Sequence, residues 1–129
     1  MIVVDSSVWI DYFNGVDSTA TERLDALLGT EPLAVGDLIL TEVLQGFRSD
    51  AHYKTAKELM LSLTVLEMLG QEIAIKSADN YRALRAKGVT VRRTVDVIIA
   101  TYCIEHELPL LFEDRDFLPF VQNLRLRVA

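Results

Sequence analysis

The stretch Met1-Ile-Val-Val-Asp-Ser-Ser-Val-Trp-Ile-Asp-Tyr-Phe13 decides how the rest of the chain is read. Ile2, Val3 and Val4 are a short β-branched run that reads as a buried strand. The run stops at Asp5. Ser6 or Ser7 can then cap a helix, and Val8, Trp9, Tyr12 and Phe13 follow helical rather than strand spacing. A carboxylate is thereby placed just past the C-terminal end of a strand, beside a helix start. In open α/β sheets ligands bind at that edge, near the point where strand order reverses.

Working outward, residues 15–19 read as a turn rich in caps, and Leu24, Leu27 and Leu28 mark a helix over 20–28 that Gly29 and Pro32 end. Leu33-Ala-Val35 is a strand. Asp37 can cap a helix with Leu40, Val43, Leu44 and Phe47 on its apolar face and Glu42 on a different side. A helix over 51–63 leads to a strand at Thr64-Val-Leu66. Residues 71–87 form a long helix, with Ile73, Ala74, Ala78, Tyr81 and Leu84 inward and Lys76, Arg82, Arg85 and Lys87 on the other face. Gly88 breaks it. Thr94 is a good N-cap for the next helix and puts Asp96 in its first turn, ahead of an all-round apolar segment typical of a central helix. Leu110-Leu-Phe112 is a strand, residues 117–120 a turn or short helix, and the alternation of Leu124, Leu126 and Val128 suggests a final edge strand. Short apolar strands separated by helices imply α/β architecture, a parallel sheet with helices on both faces.

The totals bound the function. A chain of 129 residues, half of them hydrophobic and only three of them proline, suits one domain with a substantial core and not a disordered linker. A net charge of −6 argues against a duplex-DNA binder that relies on a broad basic face, but not against a nucleic-acid enzyme whose bound cations reverse the local field. The lone Cys103 excludes an internal disulfide and fits a reducing, cytoplasmic setting. No signal peptide is expected, and the apolar run near residues 95–104 is too short to span a bilayer.

Four acidic positions fall at or near one edge of such a sheet: Asp5, Glu42, Asp96, and Asp114 or Asp116. Singly each has an ordinary reading, Asp96 as dipole compensation and Asp114 as a turn former. Jointly they do not. Carboxylates about 5 Å apart repel by roughly 3 kcal/mol per pair at an effective dielectric near 20, so a cluster needs protonation, cationic side chains or a metal. Without a Cys or His cluster zinc is disfavoured, and hard oxygen donors favour Mg²⁺ or Mn²⁺. Such ions activate water and stabilise phosphoryl displacement, and Arg92, Arg93 and Arg115 are candidate phosphate holders.

Four stretches, Ile2-Val-Val-Asp-Ser-Ser-Val-Trp-Ile-Asp11, Leu40-Thr-Glu-Val-Leu-Gln-Gly46, Arg93-Thr-Val-Asp-Val-Ile-Ile-Ala100 and Leu110-Leu-Phe-Glu-Asp-Arg-Asp-Phe117, resemble the motifs of PIN-domain ribonucleases of the VapC family, the toxins of type II toxin–antitoxin pairs. They stand in that family's order and spacing, and the resemblance covers essentially the whole chain. It implies a three-layer PIN-like α/β fold as a single domain over 1–129. It implies that Asp5, Glu42, Asp96 and Asp114 are catalytic metal-binding acids, that Asp116 is a further acid at or near the metal, and that Ser6 helps hold the first acid or a water. The family's usual Thr or Asn two positions before Asp114 is here Phe112. The resemblance further implies Mg²⁺- or Mn²⁺-dependent endonucleolytic cleavage of RNA, leaving 3′-hydroxyl and 5′-phosphate ends. It also implies homodimers, and a toxin–antitoxin hetero-oligomer in which a VapB-type antitoxin fills the toxin's groove and inserts a basic residue among the acids.

Other folds with an acid after the first strand fit less well. A haloacid-dehalogenase-type phosphatase needs a second Asp at position 7, which is Ser, and a phosphoacceptor receiver needs adjacent acids there. A degenerate PIN domain that only binds RNA or protein is disfavoured because no acid is missing. His52 and His106 read as surface residues, Cys103 as a core residue, Trp9, Tyr12 and Phe13 as core or dimer contacts, and Asp11 as a solvated or dimer-facing acid. The basic set from Lys76 to Lys87 reads as a solvated face.

Overall fold

A computed structural model describes residues 1–129. Four short strands, β1 (Ile2–Val4), β2 (Leu33–Gly36), β3 (Thr64–Leu66) and β4 (Leu110–Leu111), pair in the order β3-β2-β1-β4. Every pairing is parallel: Ile2 opposes Leu33 and Val3 opposes Ala34 on one side of β1, and Val3 opposes Leu110 and Val4 opposes Leu111 on the other. Because β1 is paired along both edges and covered on both faces, Val3 and Val4 are fully buried, which is why an uninterrupted β-branched run encodes it. The chain moves outward from β1 through β2 to β3 and only later returns to the far side as β4. Strand order therefore reverses between β1 and β4, and the crevice beyond their carboxyl ends begins at Asp5.

Seven helices cover the sheet: α1 (Ser6–Phe13), α2 (Thr19–Leu27), α3 (Asp37–Gln45), α4 (Asp50–Leu61), α5 (Gln71–Ala86), α6 (Thr94–Glu105) and α7 (Leu118–Leu124), with a 3-10 turn at Arg115–Phe117. One group runs α2–α1–α3–α4 by successive contacts, and α5, α6 and α7 form the other. This is the three-layer α/β arrangement that the strand and helix periodicities predict. A core of 26 buried residues joins the layers. Trp9 stacks on Phe13 with centroids 5.8 Å apart, and Phe13 meets Phe47 of the α3–α4 connection edge-on at 5.8 Å. No helix is long and apolar enough to cross a membrane.

Several local expectations are corrected. The cap of α1 is Asp5 itself, whose carboxylate accepts from the Ser7 amide, and not Ser6 or Ser7. Asp37 is the first residue of α3, not its cap; its Oδ1 accepts from Leu38 N at 2.8 Å and from Met68 N at 3.1 Å, tying α3 to the segment after β3. Thr94 likewise lies inside α6, with Arg93 at the cap position. On α5, Ala74 and Ala78 are exposed rather than inward. With Leu69, Tyr81, Val97 and Ile98 they line an open apolar groove of about 440 Å³ between α5 and α6. The final edge strand does not form. α7 continues to Leu124, Arg125 turns in the left-handed region at φ 67°, Leu126 tucks into the core, and only a Val128–Leu110 bridge remains to cover the edge of β4.

Candidate active site

The site begins where β1 stops. Asp5 N donates to Leu111 O at 2.9 Å, continuing the β1–β4 ladder by one residue, while Asp5 O already accepts from Val8 and Trp9 of α1. Strand and helix thus fix this backbone from both sides. The side chain is 1% exposed. Oδ2 accepts from Ser7 Oγ at 2.8 Å and, more weakly, from Ser7 N at 3.4 Å. Oδ1 is buried with no partner. Burial pushes the carboxyl pKa up to about 6; the Ser7 hydroxyl opposes this, and the negative charge of Asp96 adds to it.

Glu42 projects from α3. Its Oε1 accepts from Ser6 Oγ at 3.0 Å, and its Oε2 lies 3.6 Å from Arg93 Nη2. The two hydroxyls thus divide their work: Ser6 holds Glu42, and Ser7, which the sequence offers only as a possible helix cap, holds Asp5. The pattern Asp-Ser-Ser carries the available signal, since an Asp at a helix start accepts from the residue two positions on.

Asp96 is fully buried in the first turn of α6. The helix N-terminus favours a negative charge there, and Arg93 supplies a bidentate partner, with Nη2 to Oδ1 at 2.8 Å and Nε to Oδ2 at 3.1 Å. The carboxylates raise the Arg93 pKa further above its ordinary value, Asp96 foremost.

The fourth stretch leaves β4 as a loop. Asp114 caps the 3-10 turn, its Oδ1 accepting from Asp116 N at 2.9 Å. Phe112, in place of the usual small polar residue, packs its ring on buried Phe117 at 5.3 Å and so braces the loop from inside. Asp116 is paired with Arg92, whose Nε and Nη2 lie 3.1 and 3.0 Å from Oδ2. One carboxylate oxygen from each of Asp96, Asp114 and Asp116 falls within 4.8 Å of the others, a grouping able to hold a metal ion. Arg115 is exposed.

The five acids fall into two linked parts, and only three of them lie within reach of one shared ion. Asp96, Asp114 and Asp116 form the tight group; Asp5 couples to it through the charge of Asp96, and Glu42 through Arg93. Five carboxylates stand against two guanidiniums. The surplus of negative charge and the unpartnered buried oxygen of Asp5 fit a divalent cation held by hard oxygen donors.

The family model described as PIN domain matches residues 2–120. The chain belongs to the PIN-domain family. Within it, this PIN-domain protein is 33% identical over 131 aligned residues to the VapC ribonuclease Mb1587 of Mycobacterium bovis and equally to ribonuclease VapC11 of Mycobacterium tuberculosis; each alignment spans all of this chain and 98% of the relative. That likeness makes it a VapC-family protein. Solved structures share the fold at lower identity. A VapBC2 complex from Rickettsia felis, bound to a promoter DNA fragment, superposes with TM-score 0.77 at 16% identity over 100% of this chain and 98% of that one. A DNA-bound VapBC from Salmonella typhimurium gives 0.72 at 20% identity over 100% and 98%, and a toxin–antitoxin complex from Klebsiella pneumoniae gives 0.71 at 19% over 91% and 90%.

Proposed function

We propose that this VapC-family protein is the endoribonuclease toxin of a toxin–antitoxin pair, and that it hydrolyses RNA with Mg²⁺, or Mn²⁺ in its place. The observation that carries the proposal is a group of three carboxylates able to hold a metal, linked to Glu42 through Arg93 and to the buried, unpartnered oxygen of Asp5 through the charge of Asp96, at the strand-order reversal of a PIN fold. Asp5, Glu42, Asp96 and Asp114 are the proposed catalytic acids and metal holders, and Asp116 is a further ligand. A divalent cation held there supplies an acidified water and neutralises charge on the phosphoryl group. The chain's own residues do the rest. Buried Asp5 and Asp96 give rigid oxygen donors, Ser7 and Ser6 orient Asp5 and Glu42, and Arg93 and the exposed Arg115 lie where they can hold phosphate oxygens.

The proposed inhibitor is a VapB-type antitoxin carrying a basic residue, which suits the excess negative charge of the crevice. A homodimer is proposed as well; light scattering of the purified chain reads its mass. The deciding experiment incubates antitoxin-free protein with RNA in Mg²⁺ or Mn²⁺. Cleavage yielding 3′-hydroxyl and 5′-phosphate ends, abolished by Asp5→Asn and by Asp96→Asn, is expected. Full activity in both variants would overturn the site, and no cleavage under any metal condition would favour a PIN domain that only binds.

A further inference from the structure

Arg93 stands in an unusual place for a residue that is to meet substrate. Its guanidinium occupies both oxygens of Asp96 and reaches Glu42 at 3.6 Å, so one cation bridges two elements whose carboxylates otherwise repel. Asp96 is fully buried, and leaving it without a counter-charge is costly. Half of the Arg93 side chain is exposed, so it has an open path away from the acids. The residue sits at the cap position of α6 with φ −118° and ψ 125° and makes no side-chain cap bond, so rotating its side chain disturbs no helix terminus. A guanidinium does not vacate by losing its proton; it must move. The oxygens that Arg93 engages on Asp96 belong to the same carboxylate that groups with Asp114 and Asp116.

Building on the metal-dependent reading above, we propose that Arg93 is the resident counter-ion of this site: it neutralises Asp96 and Glu42 in the metal-free protein, is displaced as a divalent cation enters, and is thereby released to hold a phosphate oxygen of the RNA. Arg93 is thus a competitor of the metal in the resting protein and an ally of it in the loaded one. Removing it affects metal affinity and RNA cleavage in opposite directions, which a purely structural arginine does not do. Arg92 differs in that it pairs with Asp116 alone, through one oxygen, and bridges no second carboxylate.

The test measures Mn²⁺ binding by electron paramagnetic resonance on the full, antitoxin-free chain for the wild type, Arg93→Ala, Arg93→Lys and Asp96→Asn. The alanine variant is expected to bind Mn²⁺ about tenfold more tightly, the size set by a charge-assisted bidentate contact discounted for its half exposure. Lysine, a point charge without the fork, falls between. At saturating Mg²⁺ the alanine variant cleaves RNA about tenfold more slowly. In wild-type protein the side-chain Nε–H resonance of Arg93, protected in EDTA, shifts and loses protection as Mg²⁺ is titrated. Unchanged or weaker Mn²⁺ binding by a folded Arg93→Ala, or an Arg93 resonance indifferent to Mg²⁺, would overturn the proposal while leaving the metal site intact. Equal Mn²⁺ binding by wild type and Asp96→Asn would instead overturn the metal site and this inference together. Should Arg93→Ala fail to fold, Arg93→Lys and the wild-type resonance still decide.

Discussion

Asp5 is held as a buried acid with one oxygen satisfied by Ser7 and the other by nothing, and this has a measurable cost. Its pKa is raised by burial from 3.8 to about 6. Between those values the folded state keeps a proton that the unfolded chain has lost, so the metal-free protein loses stability as pH rises through that window and levels off above it. A carboxyl group displaced that far costs the folded state about 3 kcal/mol at neutral pH. Asp5→Asn, which keeps the N-cap, is therefore expected to raise the urea midpoint of the EDTA-treated protein at about pH 7 and to change it little at about pH 4, while abolishing RNA cleavage. A lower midpoint at neutral pH would contradict the burial account. Cys103 makes a second residue-scale case. It is 1% exposed and its thiol is pushed up to about 12 by burial and by the charge of Asp5. Native protein should resist alkylation at neutral pH and react only once unfolded, which mass spectrometry across a urea series reads.

At the scale of elements, the placement of Glu42 depends on how α3 leaves β2. Gly36 is the last residue of β2 and caps α3, and a Cβ there would collide with the flexible end of the fully buried Met68 side chain, which would have to shift within the core. Its φ of −69° is ordinary, so space and not backbone freedom demands glycine. Gly36→Ala is expected to cost about 1–3 kcal/mol by overpacking and to lower cleavage by shifting α3. Denaturant midpoints should show Gly36→Ala with Met68→Ala less destabilised than the two single changes added, because both act on one space; strict additivity would locate the damage elsewhere. The same scale explains the corrected elements. Alternation at Leu124, Leu126 and Val128 resembles a strand only because a helix end, one inward leucine and a bridging valine fall two residues apart, with the left-handed Arg125 breaking the run between the first two. Asp37 and Thr94 carry good capping chemistry, yet the chain enters each helix one residue earlier. Capping propensity names a neighbourhood, and tertiary contacts such as Asp37 with Met68 N choose the residue.

Over the whole molecule, the site is a balance of like charges that folding alone leaves unsettled. A divalent ion binding only the folded state at a hundredfold excess over its Kd adds about 2.7 kcal/mol. Mg²⁺ or Mn²⁺ should thus raise the melting temperature by about 10 °C, and EDTA should reverse it. Lowering the pH through about 6 should weaken the effect, since Asp5 must lose its proton to serve as a ligand. Asp5→Asn with Asp96→Asn should show no such response by scanning calorimetry; an undiminished response in that double variant would place the ion elsewhere.

The sequence by itself determined the α/β class, all four strands and six of the seven helices to within a few residues, and it named the five acids; the seventh helix it offered only as a turn or short helix. It could do so because burial on two sides writes itself as β-branched runs and helix faces as periodic apolar positions, signals local to each segment. Only the tertiary structure decided how those acids are neutralised. That Ser6 serves Glu42 while Ser7 serves Asp5, that Asp5 keeps one oxygen unpartnered, and that Arg93 faces Asp96 and Glu42 together all depend on contacts across the crevice. Glu42 lies 36 residues from Ser6 in the chain. The order β3-β2-β1-β4 then folds that separation into a single hydrogen bond. Electrostatic pairing depends on distance in space, which no local pattern carries.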